Sequence, residues 1–310
     1  MSDPAAEEFE INLGGARAVI GNVGASLLDY QVDGHQYAHS RHVQYPSCPV
    51  PSAGKVMVPW PNRVAGGKWM YRDEPQQLKI TEPDRGNAIH GLVGDQHWKL
   101  VDRSRSEVSL EISIDAQPGW PVPLHTTVSY QVGGWGLRVT HGVRNIGDRP
   151  VPFGVGAHPY LLPGPANLGD CDLKLTASKV LPYDPETMLP TGAIRHVGST
   201  EHHNFRRGKM VCEALTNIDL DNTFGRCRAG KDGVVRHSLT WGRRGVELWT
   251  DPAFRWVHAY MWLPDDPPGL GVAIEPMTCP PNALNSGVDL ITLQPGKSWH
   301  ASWGIRPLIN

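Results

Sequence analysis

Glu107-Val108-Ser109-Leu110-Glu111-Ile112-Ser113-Ile114-Asp115 carries the clearest structural signal in the chain. Val108, Leu110, Ile112 and Ile114 are apolar, and polar residues separate them. This period of two predicts a strand with one face buried and one wet. Gln117-Pro118-Gly119-Trp120-Pro121 then breaks the chain. The run 127–132 alternates again through Val128, Tyr130 and Val132, Gly133-Gly134-Trp135-Gly136 turns, and Leu137, Val139, His141 and Val143 resume the alternation. Two alternating runs across a glycine-rich turn predict an antiparallel hairpin.

Outward from this hairpin the pattern persists. Further strands are predicted at residues 18–22, 172–176, 246–250, 256–261 and 271–274. The last is apolar without alternation, as expected of a strand covered on both faces. No segment predicts a helix of three or more turns with matching caps. The 34 glycines and 28 prolines are spread along the chain, a punctuation that suits many short strands. The expected fold is all-β, a large antiparallel β-sandwich forming one domain over residues 1–310. The proline cluster 46–61 is too apolar for a free linker and reads as an ordered loop at a site. Residues 202–208 read as a solvated loop.

Composition narrows the function. There are 29 basic and 31 acidic residues, a net charge of −2, which argues against a nucleic-acid partner. No run of 18 apolar residues exists, so no membrane-spanning helix is expected. The first ten residues are acidic and unlike a signal peptide, so a cytoplasmic location is expected. The five cysteines, Cys48, Cys171, Cys212, Cys227 and Cys279, include no C-x-x-C and read as reduced thiols.

No glycine-rich phosphate cradle and no G-x-S-x-G elbow is present. His35, His39 and His42 have spacings that suit a metal only on a helix face, which Gly34 and Pro46 do not favour, so no metal site is assigned. His97, His202, His203 and His237 sit among polar residues and read as exposed. Four segments concentrate unusual residues in apolar or turn-rich surroundings: residues 61–67 with Asn62 and Arg63, 87–92 with His90, 154–161 with His158, and 273–278 with Glu275. Burying the Glu275 carboxylate is costly without a partner. It reads either as half of a structural ion pair, with Arg63 as a candidate, or as a general base at a pocket mouth. His158, ahead of Pro159, is held extended, and reads either as a core histidine or as a catalytic one.

At these residues the chain resembles the aldose 1-epimerase (galactose mutarotase) family, through an ordered series of motifs along nearly its whole length. Asn62-Arg63-Val64 with Gly66-Gly67 is similar to the family's N-R-[IV] segment. Asn87-Ala88-Ile89-His90-Gly91 is similar to its N-x-x-H-G, and His158-Pro159-Tyr160 to its H-P-Y. Leu181-Pro182-Tyr183-Asp184 through Leu189-Pro190-Thr191-Gly192 resembles its P-x-D and P-T-G segment. Ile218 through Phe224 resembles its L-D-x-x-F, and Thr250-Asp251, Glu275-Pro276 and Leu293-Gln294-Pro295-Gly296 complete the set. The chain departs from the family at Leu92, at Leu161-Leu162 and at Pro280-Pro281-Asn282-Ala283, which alters the expected pocket wall.

The resemblance implies the galactose mutarotase-like supersandwich and interconversion of the α and β anomers of a free aldose, with no cofactor. His158 would be the general acid at the ring oxygen and Glu275 the general base at the anomeric hydroxyl. His90 would hold the ring, Arg63 and Asp251 would bind ring hydroxyls, and Asn62 would support Arg63. Trp60, Trp249 and Trp262 are candidates for stacking on the sugar or, more simply, for packing. The alternatives on this fold are a hexose-6-phosphate 1-epimerase, with Arg41, Arg63 and Arg85 as candidate phosphate ligands, and a sugar-binding protein without turnover.

Overall fold

The computed structural model describes residues 5–40, 52–200, 202–213, 220–261 and 271–309. The stretch quoted first is the strand Glu107–Ile114, with Val108 and Leu110 fully buried and Ile114 nearly so. It pairs antiparallel with Leu124–Gly133, which turns into Gly136–Asn145 in the register Gly133↔Gly136. Gly136 must be glycine: its φ is +108°, and a Cβ there would lie 2.3 Å from the Ile305 carbonyl oxygen.

Among the described residues two large sheets carry the fold. The nine-stranded sheet continues from this hairpin through Ser298–Leu308, Arg244–Thr250, Val235–Trp241 and Asp172–Lys174. In the twelve-stranded sheet, Tyr160–Leu161, Val272–Met277, Trp256–Tyr260 and Asp221–Cys227 are successive neighbours. Every pairing between named strands in both is antiparallel. One apolar core joins them, with Ile11 and Leu27 from one side and Val128 and Trp303 from the other. The buried Tyr130 hydroxyl crosses between them and donates to the Ala25 carbonyl at 2.6 Å.

The strand expectations hold, with bounds shifted by a few residues. All six residues of Val272–Met277 are buried, as its unbroken apolar run predicts. The α-helix Ala283–Ser286 has four residues, and no helix among the described residues is long and apolar enough to cross a membrane. Of the proline cluster, residues 46–51 lie outside the described residues. Residues 52–61 are ordered: the Gly54 N–H donates to the His158 carbonyl at 2.8 Å, and the His158 N–H to the Lys55 carbonyl at 3.1 Å.

Two readings need correction. His237 is buried, not exposed; its Nδ1 accepts the Thr176 N–H at 3.3 Å because it faces inward on an alternating strand. Segment 202–208 is not wholly solvated, since Phe205 is buried edge-on against Phe224. Trp60 packs 6.0 Å from Trp120 in the core, and Trp249 lies under the Arg138 guanidinium at 5.6 Å. Trp262, His42 and Arg41 lie outside the described residues.

Candidate active site

Two short strands set the first half of the site. Arg63–Val64 pairs with Ala88–Ile89 in the register Arg63↔Ile89. Beyond the pair, Asn62 and His90 both adopt left-handed backbone, at φ +56° and +61°, strain that such residues keep only when their surroundings fix it. Here the fixing is mutual. The His90 N–H donates to the Asn62 carbonyl at 3.0 Å. His90 Nδ1 accepts the Asn62 N–H at 3.2 Å, and Asn62 Oδ1 accepts the Arg63 N–H at 2.9 Å. Gly91 follows at φ +79°, where a Cβ would stand 2.1 Å from the Val58 carbonyl oxygen. The H-G pair is thus a backbone requirement at Gly91, beside a His90 held in left-handed backbone.

Because His90 Nδ1 accepts a hydrogen bond, the neutral ring carries its proton on Nε2. Burial, then the nearby His158, Arg63 and His258, push the His90 pKa well down. His90 is therefore a neutral N–H donor, able to hold an oxygen but not to protonate it.

Arg63 is nearly buried and forks onto Glu82, Nε to Oε2 and Nη2 to Oε1, each at 2.9 Å. Arg85 and Asn87 bind the same carboxylate, each at 3.1 Å. Burial alone would raise the Glu82 pKa; the Arg63 hydrogen bond and charge, with Asn87 and Arg85, outweigh it and lower it. The ion pair suggested between Arg63 and Glu275 is therefore not the one formed. Arg63 and Arg85, candidates for a phosphate, both spend their charge on Glu82.

The second half comes from the twelve-stranded sheet. His158 Nε2 lies 3.3 Å from Glu275 Oε1, with His158 5% and Glu275 1% exposed. The contact is long for a charge-assisted bond, about 2.7–2.9 Å, which leaves both partners free to engage a substrate oxygen. Glu275 Oε2, His158 Nδ1 and the Tyr160 hydroxyl are buried without a partner in the described structure. Buried polar atoms are rarely left unpaired, and these three lie beside the His158–Glu275 contact. The His158 ring stacks on Tyr160 at 5.2 Å and meets His90 edge-on at 5.5 Å. Burial lowers the His158 pKa, and the Glu275 carboxylate offsets this only in part.

Across the strand pair, His258 sits opposite Glu275 in register. Its Nε2 lies 2.8 Å from Asp221 Oδ1 and its Nδ1 2.8 Å from Thr223 Oγ1. Burial would lower its pKa; Glu275 and Asp221 outweigh that and raise it. Burial would raise Asp221, and the His258 hydrogen bond and charge bring it below the usual range. Asn62, Arg63, Asp221, Thr223 and His258 line one narrow cleft.

The structure thus brings together five of the six expected residues: Asn62, Arg63, His90, His158 and Glu275. It does not bring Asp251. That residue follows a strand of the nine-stranded sheet, where its carboxylate accepts the Ser302 N–H at 2.7 Å. Asp221 stands in the cleft in its place. It belongs to the L-D-x-x-F-like segment, and that motif was the signal for it. His258 carried a weaker one: Trp256, His258 and Tyr260 alternate with Val257 and Ala259, a polar residue on a face otherwise aromatic.

The two-sheet antiparallel scaffold is that of galactose mutarotase-like proteins. A GalM/aldose epimerase homologue from C. elegans superimposes with a TM-score of 0.81 at 19% identity, over 98% of this chain and all of that one. The galactose 1-epimerase of Lactobacillus acidophilus gives a TM-score of 0.77 at 19% identity, over 99% and 96% of the two chains. The chain belongs to the aldose 1-epimerase family, whose sequence pattern it matches across residues 7–306. In sequence it is 33% identical to the uncharacterized protein YihR of Escherichia coli K12 over 285 residues, 92% of this chain and 88% of that protein.

Proposed function

We propose that this protein is a mutarotase that interconverts the anomers of a free aldose by ring opening and reclosure. The buried contact between His158 Nε2 and Glu275 Oε1 carries the reading. Opening a hemiacetal requires a proton to leave the anomeric hydroxyl and another to reach the ring oxygen. Glu275, with an unpartnered Oε2, takes the first; His158, made more acidic by burial, gives the second. His90 donates its Nε2 proton as a hydrogen bond to the ring. Arg63, held by Glu82, and Asp221, held by His258, address hydroxyl groups. The open aldehyde turns about C1–C2, and reclosure on its other face reverses both transfers. The bond from C1 to the ring oxygen breaks as the C1 carbonyl forms, and C1 keeps its oxidation state, so the chemistry calls for no redox cofactor. We place the enzyme in the cytoplasm, a reading supported by the free thiols of Cys171, Cys227 and Cys279.

Polarimetry of freshly dissolved α-D-glucose and α-D-galactose tests the proposal. The wild type is expected to speed the approach to equilibrium, and Glu275→Gln and His158→Asn each to lose about 10²–10⁴-fold. Rates at the buffer control for the wild type, or near wild-type rates in either variant, refute it.

A further inference from the structure

The chain leaves the nine-stranded sheet after Asp172–Lys174 and enters the twelve-stranded one at Ala177–Val180. At this crossing a cavity of about 810 Å³ opens between residues 174–176, segment 204–207 and the turn 228–236. Backbone bonds tie these walls together. The Leu175 N–H donates to the Phe205 carbonyl at 3.1 Å, and the Arg228 N–H to the Thr176 carbonyl at 3.2 Å. The Thr176 N–H donates to His237 Nδ1 at 3.3 Å. None of the proposed proton-transfer or sugar-binding residues lines this cavity.

Its charge is one-sided. Lys174, Arg206, Arg207, Arg228, Lys231 and Arg236 line it, against one carboxylate, Glu247. The whole chain carries a net charge of −2, so the excess is local. Arg236 is spent on Asp232 and, at 3.4 Å, on Glu247, which Arg306 also holds at 2.8 Å. Lys174, Arg207, Arg228 and Lys231 have no ion pair among the described residues, and Arg206 Nε donates to the neutral Asn204 Oδ1 at 3.1 Å. An adjoining hollow shares Thr176, Arg206 and Arg228 and adds Arg226. Thr176 Oγ1 is buried with no partner among the described residues, and a hydroxyl can both donate and accept.

A concave wall of one sign focuses its field and concentrates counter-ions. Guanidinium forks match the oxygens of phosphate in two-point contacts. A hollow of this size suits a small molecule rather than a polymer strand, which needs an extended basic stripe. Five cations not held by a carboxylate call for more negative charge than a single phosphate carries. We infer that this cavity binds an oligophosphate, a small molecule carrying two or more linked phosphates. The inference stands apart from the mutarotase reading, because the two sites share no residue.

Calorimetric titration of the intact chain at about 0.15 M salt tests this with sodium tripolyphosphate, ATP in EDTA, and orthophosphate. Tripolyphosphate is expected to bind saturably, one per chain, and at least about tenfold more tightly than orthophosphate. Arg207→Gln combined with Arg228→Gln should weaken it by about tenfold or more, and the isosteric Thr176→Val by about fivefold. Arg144→Gln combined with Arg243→Gln removes equal charge at exposed positions off the cavity and should stay within about twofold, as surface changes usually do. ATP binding more tightly than tripolyphosphate, and weakened by the same cavity variant, supports a nucleotide as the occupant; equal binding supports the phosphate chain alone. No saturable binding, orthophosphate as tight as tripolyphosphate, wild-type affinity in the cavity variant, or equal losses in the two double variants overturns the inference.

Discussion

At His158 two influences compete, and their balance fixes a pH dependence. Burial disfavours the imidazolium and dominates; the Glu275 carboxylate favours it. The net pKa lies below the usual histidine value, so above neutrality the free enzyme holds little of the acid form. Since kcat/KM reports free-enzyme ionisations, it should rise as the pH is lowered from about 8 toward 6. A profile flat over that range, or a His158→Asn variant that keeps the wild-type slope in its residual activity, contradicts this assignment. Two aspartates provide a second comparison. Asp221→Asn removes a charge that holds His258 and lines the cleft, and should lower kcat/KM by about tenfold or more. Asp251→Asn weakens a hydrogen bond to the Ser302 backbone and should cost stability rather than turnover; steady-state kinetics beside urea melts distinguish them. The sequence showed Asn62, Arg63, His90, His158 and Glu275 because each sits in a motif whose neighbours are constrained, as Gly91 is by the Val58 carbonyl. Asp221 lay in the L-D-x-x-F-like segment without being singled out, and its pairing with His258 across two strands is one that no spacing records.

Among the elements, the legible ones were those with one wet face. Glu107–Ile114 declared itself because Val108 and Leu110 point inward while Ser109 and Glu111 do not. Truncating such a side chain leaves a cavity, so Leu110→Ala should destabilise by about 2–5 kcal/mol, read as a shift of the urea midpoint with unchanged slope. The two-residue strands were not legible. Arg63–Val64 and Ala88–Ile89 are too short for any period. They exist because the left-handed turns at Asn62 and His90 bring them side by side. His237 misled for a related reason: its polar neighbours Arg236 and Ser238 belong to the other face of its strand.

For the whole molecule, neutral buried histidines set an acid limit. Burial pushes His141 down to about 3 and His237 down to about 4. In the unfolded chain both would titrate near about 6.5. Below that value the unfolded state binds protons that the folded state refuses, so stability is full above about pH 6.5 and declines as the pH falls toward 4. His141 Nε2 accepts the Trp303 Nε1–H at 2.9 Å, a role glutamine can fill. His141→Gln should therefore make the fall of the urea midpoint between pH 6 and 4 shallower by about one proton; an unchanged slope would place the acid sensitivity elsewhere. With both sheets on one core, fluorescence and circular dichroism are expected to report a single coincident transition.

The strand Ser298–Leu308 has a consequence for biosynthesis. It lies between Gly136–Asn145 and Arg244–Thr250 and is hydrogen-bonded to both. Until residue 308 has left the ribosome, the nascent chain holds two partial sheets, each with an unpaired edge where the missing strand belongs. Such edges invite association with other chains. Closure of the nine-stranded sheet therefore waits for residues 298–308, and the protein's need for chaperones should concentrate in the interval just before they pair.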